Sequence, residues 1–270
     1  MAPVAPLAPA PPKENFHTHT YRCKHAQADS PDYARAALAA GMTTLGMSDH
    51  TPLPDGWTSS IRMDIEELEG YLQAVRQAEI QTGIQVIPGM ECDIDAQYFP
   101  FYRDELLAPG RCRYLIGAVH YYRHKGELFY AADIPGWAHL ASYTDTLIQG
   151  ITSGIFSFIA HPDHFAADWD RWDADAKSCS LAISEAAKSA GIPLEINGNG
   201  FRKQRVNSMS GPRPPYPWRP FWETAAQCRV EVIANSDAHR PQDIAASLDE
   251  CAALAQELGL EYGKVRLTEK

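Results

Sequence analysis

One short stretch, Tyr114-Leu115-Ile116-Gly117-Ala118-Val119-His120, indicates the fold of this chain. It is an apolar run that ends in a potential metal ligand, and six further runs repeat the pattern. Short apolar runs bounded by Gly, Pro, Asn or Asp are typical of strands that are buried on both faces of a parallel sheet. The six other runs cover residues 15–19, 44–50, 86–91, 156–161, 193–197 and 230–237.

Helix-like segments separate these runs. Pro31 lies at a first-turn position, and several segments stop at a glycine, such as Gly83 and Gly191. The predicted helices cover residues 30–40, 64–82, 143–153, 177–190, 221–228 and 242–258. The strand ends recur at intervals of roughly 30 to 40 residues, which is the size of a βα unit. The alternation predicts an α/β fold, a TIM-like (β/α)7 barrel in a single domain over residues 15–270, with an open doubly wound sheet as the alternative.

Composition limits the classes of function. The formal net charge is −10 and no local run of Lys and Arg compensates it, so a nucleic-acid partner is not expected. The six cysteines form no C-x-x-C pair, which favours reduced thiols in a cytoplasm. The sequence contains no window of eighteen apolar residues, so no membrane span is predicted. Residues 1–14 are Ala/Pro-rich and are predicted to be a disordered tail rather than a signal peptide.

Potential metal ligands end nearly every predicted strand, as they do in a barrel enzyme whose site is assembled from several strand ends. The first strand ends His17-Thr18-His19, where strand alternation places both imidazoles on one side. Seven histidines and two carboxylates cannot be buried together unless cations neutralise them. The nine candidate ligands are His17, His19, His25, His50, Glu91, His120, His161, Asp237 and His239.

Nine donors exceed what a single ion binds, so two or three ions bridged by carboxylates are expected. Imidazole and carboxylate ligands without thiolate favour Zn²⁺, Fe or Mn²⁺ and disfavour Mg²⁺. Such a site is suited to hydrolysis of a phosphate ester, because the ions activate a water and offset the charge on the phosphoryl oxygens. No covalent nucleophile is required.

The motifs resemble those of the PHP (polymerase and histidinol phosphatase) superfamily from about Phe16 to Leu248. They are H-T-H-T at His17, S-D-H at His50, G-M-E at Glu91, G-A-V-H at His120, A-H-P-D from Ala160 and S-D-A-H from Ser236. The resemblance implies a distorted (β/α)7 barrel that binds three divalent ions. It implies one ion on His17, His19, Glu91 and Asp237, a second on Glu91, His120 and His161, and a third on His25, His50 and His239.

Within the superfamily, two stretches are similar to monofunctional histidinol-phosphate phosphatases, 194–203 and 235–241. The implied reaction is hydrolysis of L-histidinol phosphate to L-histidinol and phosphate, in L-histidine biosynthesis. The chain departs from that pattern at Gly198-Asn199-Gly200, where those enzymes usually carry Thr-Ser-Gly, and in the Pro-rich insert Gly211 to Pro220. Both departures fall where the substrate loop is expected.

Candidate substrate contacts are fewer. Arg202 and Arg62 are predicted to bind the phosphate because a guanidinium matches two phosphate oxygens. His164 follows a ligand histidine closely and is a candidate for contact with the substrate. Asp49 and Asp163 are predicted to orient ligand histidines, although either could instead cap a following turn.

Three residues near the motifs are assigned lesser roles. Lys203 and Arg240 are weaker phosphate candidates, predicted to be solvated. Asp93 is assigned to a loop.

Two other functions remain open at this point. One is a PHP-family phosphoesterase that acts on nucleotides or other small phosphate monoesters. The other is a non-catalytic metal-binding module, such as the PHP domains that accompany DNA polymerases, although this chain has no polymerase region and is acidic.

Overall fold

The computed structural model describes residues 13–268, so the predicted tail over residues 1–14 lies outside it except for its last two residues. Glu14 already belongs to the first strand. The strands are β1 (Glu14–Asn15), β2 (Thr44–Met47), β3 (Gln85–Asp93), β4 (Tyr114–Ala118), β5 (Tyr121–His124), β6 (Glu127–Tyr130), β7 (Phe158–Ile159), β8 (Leu194–Asn197) and β9 (Val232–Asn235). The α-helices are α1 (Ser30–Ala39), α2 (Leu68–Thr82), α3 (Phe99–Phe101), α4 (Trp137–Thr152), α5 (Ala174–Ala190), α6 (Gly198–Arg202), α7 (Arg219–Gln227) and α8 (Leu248–Leu258).

Seven strands in the described part of the chain form one parallel sheet in the order β1-β2-β3-β4-β7-β8-β9. The two outer strands approach each other: the Phe16 amide donates to Asn235 Oδ1 over 2.7 Å, and Thr18 forms a parallel bridge with Ala238. The sheet is therefore a nearly closed barrel, and the predicted (β/α)7 fold is confirmed against the open-sheet alternative.

Strand alternation divides the core into two layers. Tyr114 and Ile116 of β4 point into the barrel with Phe16 and Phe158, whereas Leu115 packs outward against the helices. Two neighbouring strands provide room for the Tyr114 ring, because a Cβ atom on Gly46 or Gly89 would overlap it. These glycines therefore allow a large side chain to fill the barrel interior.

The helices cover the outer face of the barrel. Asp29 begins α1 with a capping box that includes Asp32, and α2 ends at Gly83 with φ of 71°. All six predicted helices are present and end within one residue of the predicted position, but α4 begins at Trp137 rather than Tyr143 and α8 begins at Leu248 rather than Gln242. No helix in residues 13–268 has the length and apolar character that a membrane crossing requires.

A β-hairpin that the sequence did not predict follows β4. Strands β5 and β6 pair antiparallel, with Tyr121 opposite Tyr130, outside the barrel sheet. Because β4 ends next to the ligand His120, the hairpin begins at the carboxyl end of the barrel. It therefore lies beside the candidate site, where Tyr121 and Tyr130 reach the cavity.

Candidate metal centre

Eight of the nine predicted ligands, all except His17, line a cavity of ≈ 290 Å³ at the carboxyl ends of the barrel strands. Glu91 on β3 lies at the centre, 1% exposed. Five imidazoles lie within 3.5 Å of its two carboxylate oxygens; they belong to His17, His19, His50, His120 and His161. Residues from five different strand ends, those of β1, β2, β3, β4 and β7, are thus brought together, as the sequence predicted.

Asp237 forms a second centre, directly after β9. Its Oδ1 atom lies 3.1 Å from His19 Nε2, 3.4 Å from His239 Nδ1 and 3.7 Å from His17 Nε2. His25 completes the group, with its ring centroid 5.0 Å from that of His239. All nine predicted ligands therefore lie in one cluster.

Several donor atoms in this cluster are buried but make no hydrogen bond. They include His17 Nε2, both ring nitrogens of His19 and Asp237 Oδ1. Buried polar atoms without a partner are costly, and native proteins rarely leave them so. These atoms approach one another closely but are not aligned for hydrogen bonding, which is the arrangement expected of ligands around a common cation. Donor atoms within 4.8 Å of one another include those of His17, His19 and Asp237. The residues present therefore fit divalent metal ions.

Backbone conformation at two ligands is unusual. His161 has φ of 30° and Asp237 has φ of 49°, in the left-handed region that non-glycine residues seldom adopt. Such conformations cost about 1 to 3 kcal/mol each and cluster at functional sites. The fold therefore holds these two side chains in place at a conformational cost.

Partner groups fix the orientation of three ligand histidines. His17 Nδ1 contacts Glu195 Oε1 over 2.8 Å, and His120 Nδ1 contacts Asp93 Oδ1 over 3.0 Å. His25 Nδ1 contacts the Cys23 carbonyl oxygen over 2.7 Å. In each case Nδ1 is occupied, so Nε2 is left to bind a metal, as is usual for ligand histidines.

Glu195 and Asp93 are functional residues that the sequence analysis did not identify. Glu195 is fully buried on β8, where it also accepts hydrogen bonds from the side chains of Asn197 and Asn235 and from the His161 amide. A carboxylate in the middle of an apolar strand was the available signal. Asp93 was assigned to a loop, but it is the last residue of β3 and lies two residues after Glu91, on the same side of the strand.

The cluster shifts the pKa values of its members in opposite directions. Burial alone would lower the pKa of His120, but Glu91 and Asp93 raise it to about 10. Burial lowers the pKa of His239 to about 3, aided by the neighbouring His19. Burial opposes ionisation of Glu91, yet the surrounding histidines hold its pKa well below the usual range. Without a metal, protons on some histidines therefore balance the ionised carboxylates.

The two predicted phosphate-binding arginines differ in position. Arg62 lines the cavity, but its guanidinium donates to Asp93 Oδ2 over 2.6 Å and to the Thr51 carbonyl oxygen over 3.0 Å. Arg202 is not among the cavity-lining residues. It donates to the carbonyl oxygens of Ala246 and Ser236 and so connects α6 to the segment after β9.

Asp49 and His164 lie at the site, whereas Asp163 does not contact a ligand side chain. Asp49 Oδ1 is 3.6 Å from His19 Nδ1, and Asp49 Oδ2 accepts the Thr20 amide over 3.1 Å. His164 is 5% exposed and lines the cavity. Asp163 Oδ2 instead accepts the Trp218 amide over 2.6 Å and Trp222 Nε1 over 3.1 Å, which anchors the start of α7.

The remaining cavity wall comes from residues that the sequence analysis assigned elsewhere or did not consider. Lys203, predicted to be solvated, lines the cavity, and so does Tyr216 from the Pro-rich insert. A Cβ atom on Gly200 would overlap the Tyr216 carbonyl oxygen, so the insert packs on the Gly198-Asn199-Gly200 turn. The two departures in sequence therefore contact each other. Tyr121, Tyr130, Ile61 and Asn199 complete the wall.

Comparisons with known proteins agree with this geometry. A protein of Deinococcus radiodurans named probable histidinol-phosphatase is 30% identical over 236 residues, which cover 84% of this chain and 86% of the relative. A probable phosphatase of Shewanella sp. (strain ANA-3) is 24% identical over 228 residues, 83% of this chain and 75% of the relative.

Two solved structures share the fold. The HisK structure from Listeria monocytogenes has a TM-score of 0.70 at 17% identity and covers 86% of this chain and 97% of its own. The histidinol phosphate phosphatase of Lactococcus lactis, complexed with Zn, L-histidinol and phosphate, has a TM-score of 0.68 at 15% identity and covers 95% of this chain and 98% of its own. The PHP domain family matches residues 15–199, and the chain belongs to this family of metal-dependent phosphatases, as its motifs predicted.

Proposed function

We propose that this chain hydrolyses L-histidinol phosphate to L-histidinol and phosphate with water activated at a site for three divalent metal ions. The observation that carries the proposal is the cluster of nine donors around Glu91 and Asp237 beside an open cavity, in which several buried atoms, on His17, His19, His161 and Asp237, lack hydrogen-bond partners. The similarity to a probable histidinol-phosphatase across 84% of the chain supports the choice of substrate.

The ligands divide among three positions. We assign His17, His19 and Asp237 to the first, with Glu91 bridging to the second. The donor atoms of the first three residues lie within 4.8 Å of one another, which supports their grouping. Glu91 Oε1 faces His120 and His161 over 3.4 Å and 3.1 Å, which supports the second position. The donor atoms of His50 and His239 belong to one group, and the His25 ring lies beside that of His50. Both observations support the third position, which we assign to His25, His50 and His239.

The chain supplies binding and orientation for this reaction. Bound divalent ions lower the pKa of a coordinated water and offset charge on the phosphoryl oxygens. Glu195 and Asp93 hold His17 and His120 with Nε2 toward the cavity. Lys203 supplies a positive charge at the cavity wall, where a phosphate would be attracted. The Arg62 guanidinium is paired with Asp93, so we assign Arg62 a positioning role instead of phosphate binding.

The mouth of the cavity fits a leaving group that carries a planar ring. Tyr121 and Tyr130 of the hairpin lie at the rim, their centroids 5.6 Å apart, and Trp57 packs edge-on against Tyr121 at 4.9 Å. Aromatic faces stack on planar rings and attract cations. The imidazole of histidinol is planar and can be cationic, so it matches this rim better than a sugar does.

A steady-state comparison of substrates tests the proposal. Phosphate release from L-histidinol phosphate should have a kcat/KM at least about a hundredfold above that for AMP or glucose 6-phosphate, since a built pocket rejects substrates that leave its polar groups unpaired. The zinc-, manganese- and iron-loaded protein should each be assayed. Equal and slow turnover of all three substrates would contradict the assignment and favour a broad-specificity phosphoesterase.

A further inference from the structure

The two carboxylate oxygens of Asp237 have different surroundings. Its Oδ1 atom is buried without a hydrogen-bond partner and lies 3.1 Å from His19 Nε2. Its Oδ2 atom accepts two hydrogen bonds, from Asn197 Nδ2 over 3.2 Å and from Asn199 Nδ2 over 3.1 Å. An ionised carboxylate can only accept, so both asparagines must present their amide nitrogens to it. These hydrogen bonds hold Oδ2 and leave Oδ1 as the oxygen that faces the histidine.

The two asparagines that hold Asp237 differ in their other contacts. Asn197 is fully buried, and its Nδ2 atom also donates to Glu195 Oε2 over 2.8 Å. Asn199 is half-buried and lines the cavity, and within residues 13–268 its side-chain amide donates to Asp237 alone. Its backbone amide donates to Asn197 Oδ1 over 2.9 Å, which fixes the two residues relative to each other. Asn199 is therefore the donor that can be removed without breaking a hydrogen bond to Glu195.

Glycines on both sides of Asn199 allow it to approach Asp237 closely. A Cβ atom on Gly198 would lie only 3.0 Å from the Asn235 carbonyl oxygen, at the end of β9. Gly200 packs as closely on the Pro-rich insert. Larger residues at these positions would shift the backbone. The Gly198-Asn199-Gly200 turn, one of the two departures noted in the sequence, therefore places a single polar side chain against Asp237.

We propose that Asn199 is a positioning residue that acts through Asp237, a proposal that rests on the proposed metal centre. Because its amide occupies Oδ2, Asp237 is restricted to binding the ion of the first position through Oδ1. A carboxylate that binds through one oxygen fills one coordination position, whereas a bidentate carboxylate fills two. The contact therefore keeps a position on this ion open for water or phosphate, as hydrolysis requires.

A double-mutant cycle on zinc affinity tests this role. Asn199→Ala should lower the zinc affinity of the full chain by about 10- to 100-fold, because outer groups that hold a ligand have effects of this size. In the Asp237→Ala background the same replacement should change the affinity by less than about twofold, since its target is absent. Competition with a chromogenic chelator measures both. Asn207→Ala, which removes an exposed asparagine from the following loop, is the matched control and should leave the affinity unchanged.

Cobalt absorption tests the open position. The visible absorption of Co²⁺ weakens as its coordination number rises. The Co²⁺-loaded Asn199→Ala chain should therefore absorb more weakly per bound ion than the wild-type chain, because Asp237 becomes free to bind through both oxygens. Equal absorption by the two chains would overturn the proposal.

Two results of the affinity cycle would also overturn it. One is unchanged zinc affinity in an Asn199→Ala variant that is folded by circular dichroism. The other is a loss of equal size in the wild-type and Asp237→Ala backgrounds, because the effect would then not pass through Asp237. Failure of the zinc-loaded wild-type chain to hydrolyse L-histidinol phosphate would contradict the proposed function without affecting these affinities. A wild-type chain that binds no zinc would contradict the metal centre and this role together.

Discussion

Burial of Glu91 removes its carboxylate from water, and five imidazoles take the place of the hydration shell. Hydrogen bonds cannot satisfy all of these contacts, because His17 Nε2 remains unpartnered while it lies 3.4 Å from Glu91. Cations between the donors resolve this arrangement, since each ion accepts lone pairs from several side chains at once. For metal binding, the donor atom that each side chain of the cluster supplies therefore matters more than the size of that side chain.

Removing one donor should remove metal and activity together. We expect His17→Ala and Asp237→Asn each to lower both metal content and kcat/KM by at least about tenfold, because each replacement deletes a ligand. Metal analysis by mass spectrometry and a phosphate-release assay measure the two quantities. His139→Ala, a histidine outside the cluster, is the matched control. Full metal occupancy with full activity in either variant would contradict the ligand assignment.

Replacing Glu195, which lies behind the ligand His17, should have a related effect. Glu195→Gln places an amide donor against the Asn197 and Asn235 amides and the His161 amide, which already donate to this position. We expect metal affinity or activity to fall by about 10- to 100-fold while the fold persists. Competition with a chromogenic chelator measures the affinity, and the exposed Glu231→Gln serves as control. Unaltered affinity would show that Glu195 does not orient His17.

At the scale of elements, helix α6 supports the Pro-rich insert. Gly200→Ala should destabilise the protein by about 1 to 3 kcal/mol, because the added methyl group meets the Tyr216 backbone, which cannot move independently. Gly70→Ala on α2 meets nothing and should stabilise by about 0.5 to 1 kcal/mol. Urea denaturation measures both. Similar midpoints for the two variants would mean that the insert does not pack on this helix.

The β5–β6 hairpin should control substrate preference. Tyr130 is 48% exposed at the rim, so Tyr130→Ala should raise KM for histidinol phosphate by about fivefold with little change in folding, since lost stacking is worth about 1 kcal/mol. Tyr262→Ala removes a tyrosine of similar exposure, 49%, from the opposite end of the barrel. An equal rise in KM for an aliphatic phosphate ester would contradict a role in ring recognition.

At the scale of the whole molecule, most of the fold was predictable from periodic features. Apolar runs ending in His, Asp or Glu gave the strand order and placed nine donors at one end of the barrel, because parallel strands bring their carboxyl ends together. The hairpin was not predictable in the same way. Its strands alternate weakly, and the available signal was Gly126 in the two-residue turn Lys125-Gly126, where both residues have positive φ.

The rest of the site depended on tertiary contacts. Arg202 and Lys203 are adjacent in sequence, yet Lys203 reaches the cavity whereas Arg202 bonds to the carbonyl oxygens of Ala246 and Ser236. Arg202 is the last residue of α6, whereas Lys203 follows it with an extended backbone, so the two side chains differ in direction and which of them faces the cavity depends on how this segment packs. Asp163 likewise follows a ligand motif but anchors Trp218, a contact across the fold.

Metal removal should affect stability as well as activity, because the cluster exists only in the folded chain. In the metal-free protein His120 has its pKa raised to about 10, so at neutral pH it carries a proton that a metal must displace. Metal affinity should therefore fall as the pH is lowered from 8 to about 6, because metal binding must release the protons that ligands such as His120 carry, and this release becomes less favourable as the proton concentration rises. A ligand that binds only the folded state, present at a concentration of about 100 times its Kd, adds about 2.7 kcal/mol to the free energy of unfolding. We expect chelation to lower the melting temperature by several degrees, and zinc to restore it, in differential scanning calorimetry. Asp237→Asn should show a smaller difference between the two forms. Equal melting temperatures for the chelated and zinc-loaded wild-type chain would contradict a metal-stabilised barrel mouth.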